Sequence, residues 1–261
     1  MQRLVLFDLF ETLVTEYLPD APTGGTQKLV ADSLGIPPDE YRTLWRDQKQ
    51  RRHTEPTDAR EIIEAICRAS GARVDRTAIE RVWRARLDDK RRPFEDVRED
   101  VLVMLNQLLD AGFRIGVISN CATEDVVGWA GSPLAELIPG PVFSWEAGLR
   151  KPDPAIYLVA CSRYGVEPER TMFIGDGGEG ELGGAREAGL WPLSADGFTD
   201  AWPASAVARH RLATAGVDAL SSASRVARDV DEWRVRLCRG DGGTRRCLAG
   251  KTRSGVEEES G

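Results

Sequence analysis

Histidine is nearly absent from this chain of 261 residues, which has only His53 and His210. That supply argues against a His-rich metal site and against a Ser-His-Asp triad. Cysteine is little better represented. Cys67, Cys121, Cys161, Cys238 and Cys247 are scattered, odd in number and without metal-ligand spacing. They read as reduced thiols of a cytoplasmic protein. No apolar run approaches the roughly 20 residues that span a bilayer. The N-terminus carries one basic residue, Arg3, before an apolar run, which is not the pattern of a signal peptide. An excess of positive charge is also missing: 35 Lys and Arg stand against 42 Asp and Glu, for a net charge of -7. A general nucleic-acid-binding face is therefore not expected.

What is present is an ordinary soluble composition, 41% hydrophobic, long enough for one large domain or a domain with an insertion. Near the N-terminus, Leu4-Val5-Leu6-Phe7 is an uninterrupted apolar run that delivers Asp8 to its end. Such a run reads as a strand buried on both faces of a parallel sheet, whose carboxyl edge is where ligands bind. A helix cap or a turn would account for Asp8 equally well if it stood alone. Further strands are expected at Arg114–Ile118 (ending in Ser119-Asn120), at 141–144, at Thr171–Ile174 (ending in Gly175-Asp176) and around Leu190–Leu193. Helical patterns lie between them. Val97–Ala111 carries Val101, Leu102, Leu105, Leu108 and Leu109 on one face, and Asp153-Pro154 opens another helix. Strands alternating with helices predict a parallel, right-handed, three-layer α/β sandwich.

Between the first two strands lies a long helical stretch. Its predicted helices are Gln27–Leu34, Asp39–Arg52, one capped at Thr57-Asp58 and running to Gly71, and one opening at Asp75 or Thr77 and broken by Arg91-Arg92-Pro93. An inserted four-helix bundle is the simplest account, with most of its charges on solvated faces. The predicted division is a core of residues 1–16 and 95–225, an insertion over 17–94 and an extension over 226–261. The extension is expected to be partly disordered, since Arg239–Gly261 is rich in Gly, Arg and Glu. No internal repeat is found.

Four strand ends then share one edge of the sheet. They bring Asp8 and Thr12, then Ser119 with Asn120, then Lys151, and finally Asp176 with Glu179 and Glu181 behind it. Singly, Lys151 fits a surface lysine and Ser119 a strand-end cap. Together they form a phosphoryl-transfer set: a carboxylate nucleophile, a hydroxyl and a cation for an anionic group, and carboxylates for a divalent ion.

These residues, in this order, resemble the haloacid dehalogenase-like hydrolase superfamily. Asp8-Leu9-Phe10-Glu11-Thr12 is similar to its first motif, Ser119 to the second, Lys151 in Arg150-Lys151-Pro152-Asp153-Pro154 to the third, and Gly175-Asp176-Gly177-Gly178-Glu179-Gly180-Glu181 to the acidic fourth. The resemblance covers about residues 3 to 195 and implies a Rossmann-like core with a helical cap inserted after the first strand. It implies Asp8 as the nucleophile of a covalent aspartyl intermediate, with Ser119 and Lys151 holding a phosphate or carboxylate. Mg²⁺ would be held by Asp8, the Phe10 carbonyl and Asp176, and Glu181 or Glu179 completes the shell or neither does. The substrate implied is a small anionic molecule, with no nucleic acid or membrane partner, and the enzyme a monomer or homodimer.

The departure is Phe10. Phosphatases of this family usually have Asp there as general acid and base, worth typically about a hundred- to ten-thousand-fold in rate. Dehalogenases have an aromatic residue and need no acid, because halide leaves unprotonated. In the insertion, Leu44–Lys49 also resembles the dehalogenase cap, which makes Arg46 a candidate for substrate binding beside Phe10 and Asn120. Asp176 points the other way: two carboxylates without a cation between them raise one pKa and blunt the nucleophile. Phosphonate-cleaving relatives combine a metal with a non-acidic residue at this position. The leading expectation is a Mg²⁺-dependent phosphatase for good leaving groups, or one in which Glu11 or an insertion residue supplies the proton. Dehalogenation is the alternative, followed by a non-catalytic binding relative.

Overall fold

The computed structural model describes residues 2–16 and 25–195. The predicted C-terminal extension, and the part of the core beyond residue 195, lie outside the described residues. Within them is a five-stranded, wholly parallel sheet with strand order β3-β2-β1-β4-β5. The strands are β1 (Leu4–Phe7), β2 (Arg114–Ser119), β3 (Val142–Phe143), β4 (Thr171–Gly175) and β5 (Trp191–Ser194).

β1 is the central strand, fully buried because it has no polar side chain to expose. Its residues alternate between two cores. Val5 and Phe7 face Val101, Met104, Leu105 and Leu108 of α6 (Glu99–Asp110), reached after five helices described below. Leu4 and Leu6 face Ile156, Tyr157 and Ala160 of α9 (Pro154–Tyr164) and Ala185 of α10 (Glu181–Glu187). The expected three-layer α/β sandwich is therefore present. Register brings the functional edge together: Phe7 lies opposite Val117 and Ile174, and the Asp8 N–H donates to the Ile174 carbonyl at 2.8 Å.

The helices between β1 and β2 are α1 (Gly25–Leu34), α2 (Pro38–Asp47), α3 (Lys49–Thr54), α4 (Ala59–Ala69) and α5 (Arg76–Glu95). They enclose an apolar core of their own, including Val30, Leu34, Ile62, Ile63, Ile66 and Val82. Asp58 and Asp75 cap α4 and α5 as the sequence suggests, accepting from Arg60 N at 2.8 Å and Thr77 N at 2.9 Å.

Two expectations fail here. The predicted helix Asp39–Arg52 is split at Gln48: α2 buries no residue, whereas α3 buries Arg52 and His53, and the break re-aims the second piece. Arg91-Arg92-Pro93 does not end α5, which runs on to Glu95. Proline sits in its last turn, where one lost hydrogen bond costs least, and buried Phe94 anchors that turn edge-on to Trp129 and Phe10. The connections after β2 and β3 hold two short helices that no periodicity announced, α7 (Pro133–Leu137) and α8 (Ser144–Ala147). No helix among the described residues is long and apolar enough to cross a membrane.

Candidate active site

At the carboxyl edge of the sheet, the Lys151 ammonium forms ion pairs with Asp8 and with Glu181, the latter at 2.5 Å. Thr12 Oγ1 donates to Asp8 Oδ2 at 3.4 Å. Asp8, Asp176 and Glu181 each bring a carboxylate oxygen within 4.8 Å of the other two. Asp8 and Glu181 are buried and Asp176 is half-buried. Glycine makes this crowding feasible. A Cβ at Gly175 would occupy the space of the Glu181 carboxylate, and one at Gly184 would strike the Pro152 carbonyl, so α10 approaches the Lys151 segment as closely as it does only without side chains there.

Electrostatics show what the cluster lacks. Burial raises the Asp8 pKa; Lys151 opposes this and Asp176 adds to it. Glu181 is pushed well above the usual carboxylate range by burial and by Asp8. Burial alone would depress Lys151, but Asp8 and Glu181 outweigh it and keep the ammonium charged. Asp8 and Glu181 thus share one ammonium with Asp176 close beside them, and a buried charge is costly unless paired or bound to a metal. Clustered carboxylate oxygens suit a hard divalent cation. The donor set fits Mg²⁺ on that ground.

The other predicted residues are placed unevenly. Ser119 Oγ is buried beside the edge without a hydrogen-bond partner. Asn120 spends its amide on architecture: its Oδ1 accepts from Lys151 N at 2.7 Å and its Nδ2 donates to the Lys151 carbonyl at 2.8 Å and to Glu179 at 3.0 Å. The Phe10 ring is turned edge-on to Phe94, with the Lys90 ammonium 5.7 Å from its centre. Glu11, at φ +61°, has both carboxylate oxygens engaged by Thr15 Oγ1 and Glu16 N, at 2.8 Å each, and burial lifts it to about 7. Arg46 is exposed on α2 and forms no ion pair among the described residues. The pair left open by the sequence now separates: Glu181 turns into the acidic cluster, while Glu179 pairs with Lys49 and Arg150. Hydrogen bonds from Lys49 and Asn120 override burial and hold Glu179 at about 2.

Several residues escaped the sequence reading. Tyr157 is fully buried under the site and donates its hydroxyl to the Glu181 carbonyl at 2.7 Å. The insertion meets the core through a charged seam. Arg52 and Arg86 pair with Glu124 at 3.4 and 3.2 Å, and Arg86 and Lys90 with Asp125 at 3.0 Å each. Trp45 has both guanidiniums 4.3 Å from its ring centre. Most charges of the insertion are indeed solvated, but these three cations are not. The i, i+4 spacing of Arg86 and Lys90, with the Glu124-Asp125 pair elsewhere in the chain, was the available signal.

Comparison with known proteins identifies the family. A family model described as haloacid dehalogenase-like hydrolase matches residues 2–189. Over 92 residues (35% of this chain) the sequence is 33% identical to glyceraldehyde 3-phosphate phosphatase of Methanopyrus kandleri, covering 40% of that protein. Over 92 residues it is 31% identical to (S)-2-haloacid dehalogenase 4A of Burkholderia cepacia, covering 35% of this chain and 39% of that protein. The matches thus span less than half the length of these relatives. Among solved structures, 2-haloacid dehalogenase from Pseudomonas syringae pv. Tomato DC3000 shares the fold, with a TM-score of 0.63 at 22% identity over 89% of this chain and all of the other. The chain belongs to the haloacid dehalogenase-like hydrolase family.

Proposed function

We propose that this hydrolase cleaves a small organic phosphate with Asp8 as nucleophile and Mg²⁺ as cofactor. The observation that carries the reading is the clustering at the sheet edge of Asp8, Asp176 and Glu181, whose carboxylate oxygens lie within 4.8 Å of one another beside Lys151. Asp8 attacks phosphorus, the bond to the leaving oxygen breaks, and the aspartyl phosphate is then hydrolysed by water. The Lys151 ammonium and the Ser119 hydroxyl hold non-bridging phosphate oxygens, and Thr12 fixes the Asp8 carboxylate. Asp8, Asp176, Glu181 and the Phe10 carbonyl would hold Mg²⁺, which neutralises charge on the phosphoryl group and frees Asp8 to ionise. Asn120 positions Lys151 rather than touching substrate. The helices α1 to α5 act as a cap over the edge. With Phe10 in place of an acid, substrates with good leaving groups, aryl or acyl phosphates, are favoured. An aryl phosphate assayed with and without Mg²⁺ tests the reading.

Phe10 favours a second reading, hydrolysis of a 2-haloacid, in which Asp8 displaces halide from carbon and no proton is needed. Asp176 and Glu181 weigh against it, because without a cation between them close carboxylates raise one another's pKa and blunt the nucleophile. Loss of activity in Asp176→Ala that tracks loss of bound metal would eliminate this second reading.

A further inference from the structure

Glu179 stands in the chain between two members of the acidic cluster, Asp176 and Glu181, yet its carboxylate is bonded outside that cluster. Three donors from three parts of the chain converge on it. Lys49 of α3 and Arg150 form ion pairs with it, and Asn120 Nδ2 donates to its Oε2 at 3.0 Å. Lys49 belongs to the insertion, whereas Arg150 and Asn120 adjoin Lys151 and Ser119 of the core.

The backbone around Glu179 needs such support. Gly177, Glu179 and Gly180 have φ of +82°, +54° and +78°. Glycine enters this left-handed region freely, but a residue with a side chain persists there only when its surroundings hold it. The same loop also fixes the acidic cluster. The Gly177 N–H donates to Glu181 Oε1 at 3.0 Å, and the Gly178 N–H donates to Asp176 Oδ1 at 2.8 Å. Loop conformation and carboxylate placement are therefore one arrangement. A loop that relaxes at Glu179 withdraws the N–H groups that aim Asp176 and Glu181.

We infer that Glu179 is a positioning residue for the metal site, and that its pair with Lys49 makes Mg²⁺ affinity depend on the insertion. The inference rests on the Mg²⁺ reading of the acidic cluster, and neither Glu179 nor Lys49 is a ligand in it. Its sign opposes that of simple charge. A lysine ammonium close to a cation site repels the cation, so removing it should tighten binding. A lysine that holds the loop in shape does the reverse, and removing it weakens binding.

Calorimetric titration of the full chain with Mg²⁺ alone, free of substrate, separates the two. Lys49→Met should bind Mg²⁺ about threefold more weakly than wild type, the yield of a partly exposed ion pair. Lys49→Arg, which keeps the pair, should bind as wild type does. Glu179→Gln loses a negative charge near the site and should weaken binding on either account, so it serves as the background for a double-mutant cycle. Adding Lys49→Met to Glu179→Gln should cause no further weakening. Melting curves establish that each variant folds, and a purely structural loss lowers the melting temperature without moving the Mg²⁺ affinity. Unchanged or tighter binding in Lys49→Met would overturn the inference while leaving the Mg²⁺ reading intact. So would an equal weakening in the Glu179→Gln background, because the effect would then not pass through the pair. A wild-type chain that binds no Mg²⁺ would overturn the metal reading itself, and the inference with it.

Discussion

At the scale of single residues, the site is defined by which charges have partners. Asp8→Asn should abolish turnover, and it should also raise the stability of the metal-free protein. The second outcome follows from the sign of the shift. Asp8 and Glu181 have folded pKa values raised by burial, so their contribution is fully present below the unfolded carboxylate value and is lost as pH rises through the folded one. Neutralising Asp8 removes that loss, and thermal melts near neutral pH should show the variant above wild type. His53 has the opposite sign. Its pKa falls from 6.5 to about 4, so the stability it contributes is complete above 6.5 and disappears as pH falls toward 4. The loss is at most about 3 kcal/mol. In His53→Gln, urea unfolding across that interval should show a flatter pH dependence. Asp8, Ser119, Lys151 and Asp176 were all legible in the sequence, because strand ends and glycine-rich turns mark themselves. Arg46 stood out by resemblance alone and lies exposed on α2, while the buried Arg52 six residues later gave no local sign.

At the scale of elements, the seam and the α10 contact bear the most strain if altered. Glu124 accepts from both Arg52 and Arg86 while buried. Glu124→Gln should therefore cost about 3–5 kcal/mol in urea unfolding, since it strands buried cations. Gly184→Ala should cost about 1–3 kcal/mol by overpacking and lower activity with it, because the new methyl would displace the backbone at Pro152 beside Lys151. Sequence periodicity found β1, β2, β4 and the apolar helices α4 and α6, whose stripes are regular. It missed the break at Gln48, where the driving force is the burial of Arg52 and His53 against residues more than seventy positions away. It also stopped α5 at Pro93, since local propensity carries no information about Phe94 packing on Trp129.

At the scale of the whole molecule, a parallel sheet carries the nucleophile and the acidic loop, and an inserted helical bundle with its own core meets that sheet through charge. Metal linkage joins these parts to stability. Mg²⁺ should raise the melting temperature of wild type, more at pH 8 than at pH 5, where protonation of the raised carboxylates competes with the cation. The most direct test of the central claim is one assay run in parallel on the full chain: phosphate release from an aryl phosphate with and without Mg²⁺, and chloride release from 2-chloropropionate with chelator present. Mg²⁺-dependent phosphate release, lost in Asp8→Asn, is the predicted result. Metal-independent chloride release without phosphatase activity would contradict it.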